Sequence, residues 1–343
     1  MFKLACVMAL SLSSVAFGLA SAQETQPPTI APAFDMKRCV NMGNALEAPR
    51  DEDWGGPLRV DKFAEIKAAG FDTVRIPVRW SAYTGAAPDY TIEPDFLAEV
   101  DRAVTLALNE ELNVILNIHH FDEIMENPRA ELRKLLAIWR QLATHFADAP
   151  DDLWFETLNE PNNELQGELM RAAQTTAVLG IRESNPDRVI ILGGEEWSGI
   201  ASLPSNIEAP DSNIVYTFHY YDPFGFTHQF ASWVPKELVN KKRGWGSRAD
   251  KKELANAVDI ATGFRDAVGH PVFMGEFGAY DPIDHDERVE YVGAVREAME
   301  GGEIPWCLWS FSNTFALYDD ETGWDKDMVQ ALGVTVPPVK PAK

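Results

Sequence analysis

Apolar residues gather in eight short runs, at 37–42, 73–78, 113–119, 153–158, 188–192, 213–219, 271–277 and 306–311. The runs are rich in Val, Ile, Phe and Leu, and several are apolar throughout rather than alternating. Continuous apolar runs of this length fit parallel strands covered on both faces. Between them the spacing becomes helical. Phe63 and Ile66 precede a stop at Gly70. Phe96, Leu97, Val100, Val104 and Leu108 recur at three- and four-residue intervals, as do Leu132, Leu135, Leu136, Trp139, Leu142 and Phe146. Eight strands alternating with helices predict an α/β fold, a (β/α)8 TIM barrel, as a single domain over 34–335. The rival is an open doubly wound sheet. It usually has fewer strands, and its nucleotide-binding form wants a Gly-rich phosphate loop after the first strand. Asn41-Met42-Gly43-Asn44 is not such a loop.

The ends of the chain read differently. Lys3, an apolar or small stretch to Leu19, and Ala20-Ser21-Ala22 ahead of polar Gln23-Glu24-Thr25 predict a signal peptide over 1–22, cut near Ala22. The apolar stretch is short for a membrane span and is broken by Gly18 and serines. Residues 23–33 read as a flexible lead-in, and 336–343 as a proline-containing tail. A secreted or periplasmic protein is expected, free of the membrane once cut. Removing the signal removes Cys6 and leaves Cys39 and Cys307. Both lie in predicted strands and are expected as two buried thiols, although an oxidising compartment permits a disulfide.

The chain is 45% hydrophobic and 24% charged, ordinary for a globular protein, with a formal net charge of −23. That charge repels a polyanion and excludes nucleic acid as a partner, while suiting a neutral polymer. A monomer is expected.

In a barrel of this kind the active site lies at the C-terminal ends of the strands. Asn44 and Glu47 follow the first run, and Arg75 and Trp80 lie on and after the second. His119-His120 end the third, Asn159-Glu160-Pro161 the fourth, and Glu195-Glu196-Trp197 follow the fifth. His219-Tyr220-Tyr221 end the sixth, Gly275-Glu276-Phe277-Gly278 the seventh, and Trp309 lies on the eighth. Four of the seven histidines, His119, His120, His219 and His228, fall at or just after strand ends. A barrel with only structural roles has no reason to place polar and aromatic groups at every strand end. Glu160 and Glu276 can converge across the mouth, and glycoside hydrolysis needs such a pair, one protonated and one ionised. No H-x-H or H-E-x-x-H spacing is present, and His119 and His120, if on a strand, point to opposite sides. No metal and no cofactor is expected.

Asp222, Glu195 and Glu196 are expected to be solvated or hydrogen-bonded. Trp54, Trp80 and Trp306 stay open between core and cleft. So does Arg75, between a catalytic role and a buried ion pair.

The strings LNEP (158–161), HYY (219–221), GEFG (275–278), RIPVRW (75–80) and Trp309, in this order on strands four, six, seven, two and eight, resemble glycoside hydrolase family 5, cellulase family A. NMGNALEAP (41–49) and the segment 119–123 resemble its bacterial endoglucanase and mannanase branch. The resemblance implies a retaining enzyme with Glu160 as acid/base and Glu276 as nucleophile. It implies that Asn159 binds the sugar 2-OH, that Arg75 and Tyr221 flank Glu276, and that His219 orients Glu160 or the sugar. His119, with His120 nearby, would bind the sugar beside the cut bond, with Trp309 as its stacking platform. Asn44, Glu47, Trp197 and His228 would be further sugar contacts. An endo-β-1,4-glucanase is the leading expectation, a β-mannanase or dual enzyme the second, and a non-catalytic sugar-binding barrel the third. The substrate is a polysaccharide or oligosaccharide.

Overall fold

Residues two apart on a strand share a face, and in this chain that period separates the barrel's interior from its exterior. The computed structural model describes residues 34–49, 54–239 and 241–336. The signal peptide, the lead-in and nearly all of the tail lie outside the described residues.

Eight parallel strands close into a barrel in the order of the sequence. They are β1 (Arg38–Asn41), β2 (Thr73–Ile76), β3 (Asn113–Asn117), β4 (Leu153–Glu156), β5 (Ile190–Gly193), β6 (Ile214–His219), β7 (Val272–Phe277) and β8 (Trp306–Leu308). The first pairs with both β2 and β8, which closes the ring. Each strand lies within one of the eight apolar runs or overlaps it by all but one residue. The long helices over Phe63–Ala69, Pro94–Asn109 and Pro128–His145 follow the predicted periodic segments.

One set of alternate strand residues forms an apolar plug. Cys39, Ile115, Trp154, Ile191, Val215, Phe273 and Cys307 pack together with Met36 and Val189, and every one is buried. Two residues further along, the same faces carry Asn41, Asn117, Glu156 and Thr217, and β2 adds Arg75 beyond the buried Thr73, all at most 1% exposed. The interior therefore changes from an apolar layer to a polar one just before the strands end. The opposite faces, with Val40, Val74, Leu116, Phe155, Leu192, Phe218 and Met274, pack in the outer core.

Cys39 and Cys307 are buried as expected, but they are not two thiols. They form a disulfide between β1 and β8, spanning 268 residues of sequence. They face each other in the strand register, so closing the barrel brings them together, which spacing along the chain cannot show. Trp80 and Trp306 are fully buried core residues, whereas Trp54 is exposed. Among the described residues no helix is long and apolar enough to cross a membrane.

Candidate active site

Arg75 is the hub of the polar layer. It projects inward from β2 with no exposed surface, and four groups share its guanidinium. Its Nε and one terminal nitrogen donate to both carboxylate oxygens of Glu156 at 2.6 Å. The other terminal nitrogen donates to Asn41 Oδ1 and to Glu276 Oε1, each at 2.8 Å. Asn159 Oδ1 accepts a further bond at 2.6 Å. A buried guanidinium needs such compensation, because an unpaired charge in a low-dielectric interior is strongly unfavourable. Of the two alternatives left open for Arg75, the buried ion pair is present, with Glu156 and with Glu276.

Glu276 owes its position to an irregularity in β7. The register runs Phe218 to Met274 and then His219 to Glu276, and again Met274 to Trp306 and then Phe277 to Leu308. One extra residue in β7 is the mark of a bulge, which re-aims the side chains beside it. Gly275 fits there because a Cβ would come within 2.6 Å of Thr217 Oγ1 and 3.2 Å of His219 Nε2. The Glu276 side chain is 5% exposed and also accepts from the Tyr221 hydroxyl at 2.9 Å.

Glu160 stands in the loop after β4, its side chain 26% exposed and 2.7 Å from His219 Nδ1. The same nitrogen is 3.6 Å from Glu276 Oε2. An oxygen of Glu160, an oxygen of Glu276 and a ring nitrogen of His219 all lie within 4.8 Å of one another. This triangle of two carboxylates and an imidazole could also hold a metal ion. A second such group among the described residues, His285, Asp325 and Asp327, lies towards the surface.

Burial raises both carboxylates, but different groups oppose it. Loss of solvation pushes the Glu160 carboxyl up to about 8, with Arg75 opposing and Glu156 adding to the shift. Burial also raises Glu276, against the pull of His219, Arg75 and the Tyr221 hydroxyl. For Glu276 desolvation outweighs the ion pair with Arg75. Glu276 is nevertheless the carboxylate supplied with donors that favour its ionised form. Tyr221 is raised well above the ordinary phenol range by burial and the Glu276 charge, so its hydroxyl stays a donor. Burial lowers His219, takes His119 well below the ordinary imidazole range, and takes His120 and His228 down to about 4. These rings are neutral at neutral pH. Asn117 Nδ2 donates to His119 Nδ1 at 3.2 Å, which leaves Nε2 as the proton-bearing nitrogen of that ring.

The remaining predicted site residues fall into two groups. Trp309 stacks on His119 with centroids 5.4 Å apart and planes 13° apart. His120 meets His119 edge-on at 4.7 Å, so the two rings are in contact rather than on opposite sides, because β3 has already ended at Asn117. His228 stacks on Phe224 at 4.2 Å and meets Tyr221 edge-on at 4.9 Å. Trp197 is 52% exposed on the loop after β5.

Asn44 and Glu47 are different. Glu47 is fully buried, and its two oxygens accept from the backbone N–H groups of Asn44 and Ala45. Burial pushes its carboxyl up to about 7. It pins the turn after β1 and presents no surface to a sugar, which corrects the expected contact. The Asn44 amide reaches Ser310 Oγ and the Ser312 and Asn313 carbonyls at 3.2–3.3 Å, tying that turn to the segment after β8. Glu195 accepts from Gly167 N at 2.6 Å, as a hydrogen-bonded carboxylate was expected to do.

Sequence reasoning missed Glu156 and Asn41. Glu156 could have been found, because a lone carboxylate inside an apolar strand must have a partner. Asn41 also donates to the Gly275 and Leu308 carbonyls at 3.0 and 3.1 Å, joining β1 to β7 and β8.

A family model described as cellulase, glycosyl hydrolase family 5, matches residues 35–315. Endoglucanase H of Acetivibrio thermocellus is 32% identical, over 89% of this chain and 34% of its own length. The cellulase/esterase CelE of the same organism is 30% identical, over 85% of this chain and 38% of its own length. The chain therefore spans little more than a third of those two relatives. Endoglucanase A of Ruminococcus albus, 29% identical, is covered over 89% of its length. The structure of Thermotoga maritima Cel5A in complex with cellobiose aligns with a TM-score of 0.83 and 38% identity, over 87% of this chain and 97% of that one. The same protein in complex with mannotriose aligns with a TM-score of 0.83 and 37% identity, over the same shares. With the family model matching most of its length, this chain belongs to glycosyl hydrolase family 5, the cellulase family.

Proposed function

We propose that the protein is a retaining endo-β-1,4-glucanase that cuts internal bonds of β-glucans, with Glu160 as acid/base and Glu276 as nucleophile. The observation that carries this reading is the short approach of the two carboxylates, within 4.8 Å oxygen to oxygen. Retaining enzymes hold the pair about 5–5.5 Å apart, whereas inverting ones leave about 6.5–9.5 Å for a water.

In the first step a Glu276 oxygen attacks the anomeric carbon. The glycosidic bond breaks, and the leaving oxygen takes the proton of Glu160. In the second, Glu160, now a carboxylate, takes a proton from water. The water oxygen attacks the anomeric carbon and Glu276 departs ionised. A carboxyl raised to about 8 arrives protonated at neutral pH, as the first step requires. Arg75 and Tyr221 favour the ionised form of Glu276 and aim it through the bonds described above. Asn159 is assigned to the sugar 2-OH, and His219 to orienting Glu160. His119, with His120 nearby, is assigned to the sugar beside the cut bond. Trp309 gives that sugar's C–H face a flat apolar platform, and Trp197 and His228 add further contacts.

Reducing-sugar release from carboxymethyl cellulose, barley β-glucan, glucomannan, galactomannan and xylan tests the assignment. Viscosity should fall faster than reducing ends appear on the glucans. Activity on xylan alone would overturn it. A β-mannanase or dual activity is the second reading, favoured by the similarity to a protein solved with both cellobiose and mannotriose. We further propose export after cleavage near Ala22, with no membrane association afterwards. N-terminal sequencing of protein from the periplasm or medium tests this: a start near Gln23 is expected, and a start at Met1 would contradict it.

A further inference from the structure

The loop after β4 carries Glu160 between Asn159 and Pro161, and the backbone carbonyls of all three are held. The Ser198 hydroxyl donates to Asn159 O at 2.8 Å, and Asn162 Nδ2 donates to Glu160 O at 2.8 Å. The Trp197 N–H donates to Pro161 O at 3.1 Å. Two of these three donors come from one short turn after β5. In it Glu196, Trp197 and Ser198 all have left-handed backbone, with φ of 53°, 54° and 54°. Consecutive left-handed residues are disfavoured when each carries a Cβ, because the Cβ crowds the following carbonyl. Such a turn persists only where its surroundings hold it.

The surroundings are specific. Ser198 is fully buried, and its hydroxyl also reaches Gly194 O at 3.2 Å. Gly193 leaves room for it, since a Cβ there would lie 2.6 Å from Ser198 Oγ and 3.4 Å from Asn159 O. Gly199, the next residue along, forms a parallel bridge with His219, the residue whose ring touches Glu160. The turn thus grips the backbone on both sides of Glu160 and the strand that carries its side-chain partner.

We propose that Ser198 is a positioning residue for Glu160. Ser198 is fully buried, and through the Asn159 carbonyl its hydroxyl sets where the Glu160 carboxyl stands against the leaving oxygen. The proposal rests on the reading of Glu160 as acid/base. Displacement of a reacting group by 1 Å costs on the order of 10²-fold in rate.

The experiment compares Ser198→Ala, Ser198→Gly, Gly193→Ala and Glu160→Ala by kcat/KM on barley β-glucan and on 2,4-dinitrophenyl β-cellobioside, each across pH. Glycine adopts left-handed backbone freely, so Ser198→Gly removes the hydroxyl without adding strain. Both Ser198 variants should lose roughly 10- to 100-fold on β-glucan. They should lose little on the dinitrophenyl substrate, whose leaving group needs no proton, and the basic limb of the pH profile should move. Gly193→Ala keeps the hydroxyl but displaces it, and should show the same dependence on leaving group. Wild-type kcat/KM on β-glucan with an unmoved profile in Ser198→Gly would overturn the proposal. So would equal losses on the two substrates, which mark a general structural role. If circular dichroism shows the Ser198 variants unfolded, Gly193→Ala decides by the same criteria. Equal losses for Glu160→Ala itself would sink the acid/base reading. A leaving-group-dependent loss in Glu160→Ala without one in the other variants would sink only the role of Ser198.

Discussion

Arg75 donates to Glu276 at 2.8 Å while both oxygens of Glu156 bind the same guanidinium at 2.6 Å, so one buried cation serves a structural carboxylate and a reacting one. Its removal therefore has two consequences. Arg75→Leu leaves Glu156 and Glu276 buried without their counter-charge. It should destabilise the fold by about 3–5 kcal/mol, as breaking a buried pair by removing one partner does. Urea unfolding measures the loss, and activity should fall with it even where the variant is fully folded. Lysine should rescue neither, because its ammonium cannot offer the planar fork that binds Glu156 at two points.

The two carboxylates should fail differently. Glu276→Ala should abolish turnover on every substrate, since no glycosyl-enzyme forms. Azide should restore some of it and give the inverted α-glycosyl azide. Glu160→Ala should lose about 10²–10⁴-fold on natural polymer and little on a dinitrophenyl glycoside. Azide should then give the retained β-product, by attack on the waiting intermediate. The opposite stereochemistry in the two azide products would mean that the roles are exchanged.

Activity should depend on pH as a bell. kcat/KM should fall above about 8, where Glu160 loses the proton that the leaving oxygen needs. On the acid side it should fall as Glu276 becomes protonated. Stability should follow a different course. Glu160, with a carboxyl raised from an ordinary 4.5 to about 8, keeps its proton in the folded state across a range where the unfolded chain has released it. Unfolding then releases protons, so stability is greatest below pH 4.5 for this group and falls as pH rises through 8. Glu47, raised to about 7, acts in the same sense. Thermal midpoints taken between pH 4.5 and 8 should decline, and Glu160→Gln should flatten part of that decline. An unchanged slope in the variant would contradict the raised value.

The barrel was legible because its strands are buried on both faces and its helices on one, and both conditions leave a period in the sequence. Glu160 was legible because it follows an apolar run, and Glu276 because it lies at the end of one, which in a barrel is the side of the mouth. Glu156 lies inside such a run, where its charge signals a buried partner but not that the partner is Arg75, two strands away. Glu47 was misread because spacing along a loop does not say which way a carboxylate turns, and here it turns back onto its own backbone. The left-handed turn at 196–198 left no signal, since Glu, Trp and Ser give no hint of positive φ without a glycine among them.

The disulfide joins the first and last strands of the ring. Cys39→Ser with Cys307→Ser should lower stability by about 2–5 kcal/mol, mostly by freeing the unfolded chain. Because both sulfurs are fully buried, reductant should act on the unfolded protein far faster than on the native one. Thermal midpoints with and without dithiothreitol, for wild type and the double variant, check both statements. A midpoint for the double variant equal to that of the oxidised wild type would contradict them.

The central claim is a double displacement through Glu276, and the anomer first released tests it most directly. Proton NMR of cello-oligosaccharide hydrolysis, recorded faster than mutarotation, should show the β-anomer accumulating first and the α-anomer only as the solution equilibrates. An α-anomer in the first spectra would mean a single displacement by water, and the assignment of Glu276 as nucleophile would be wrong.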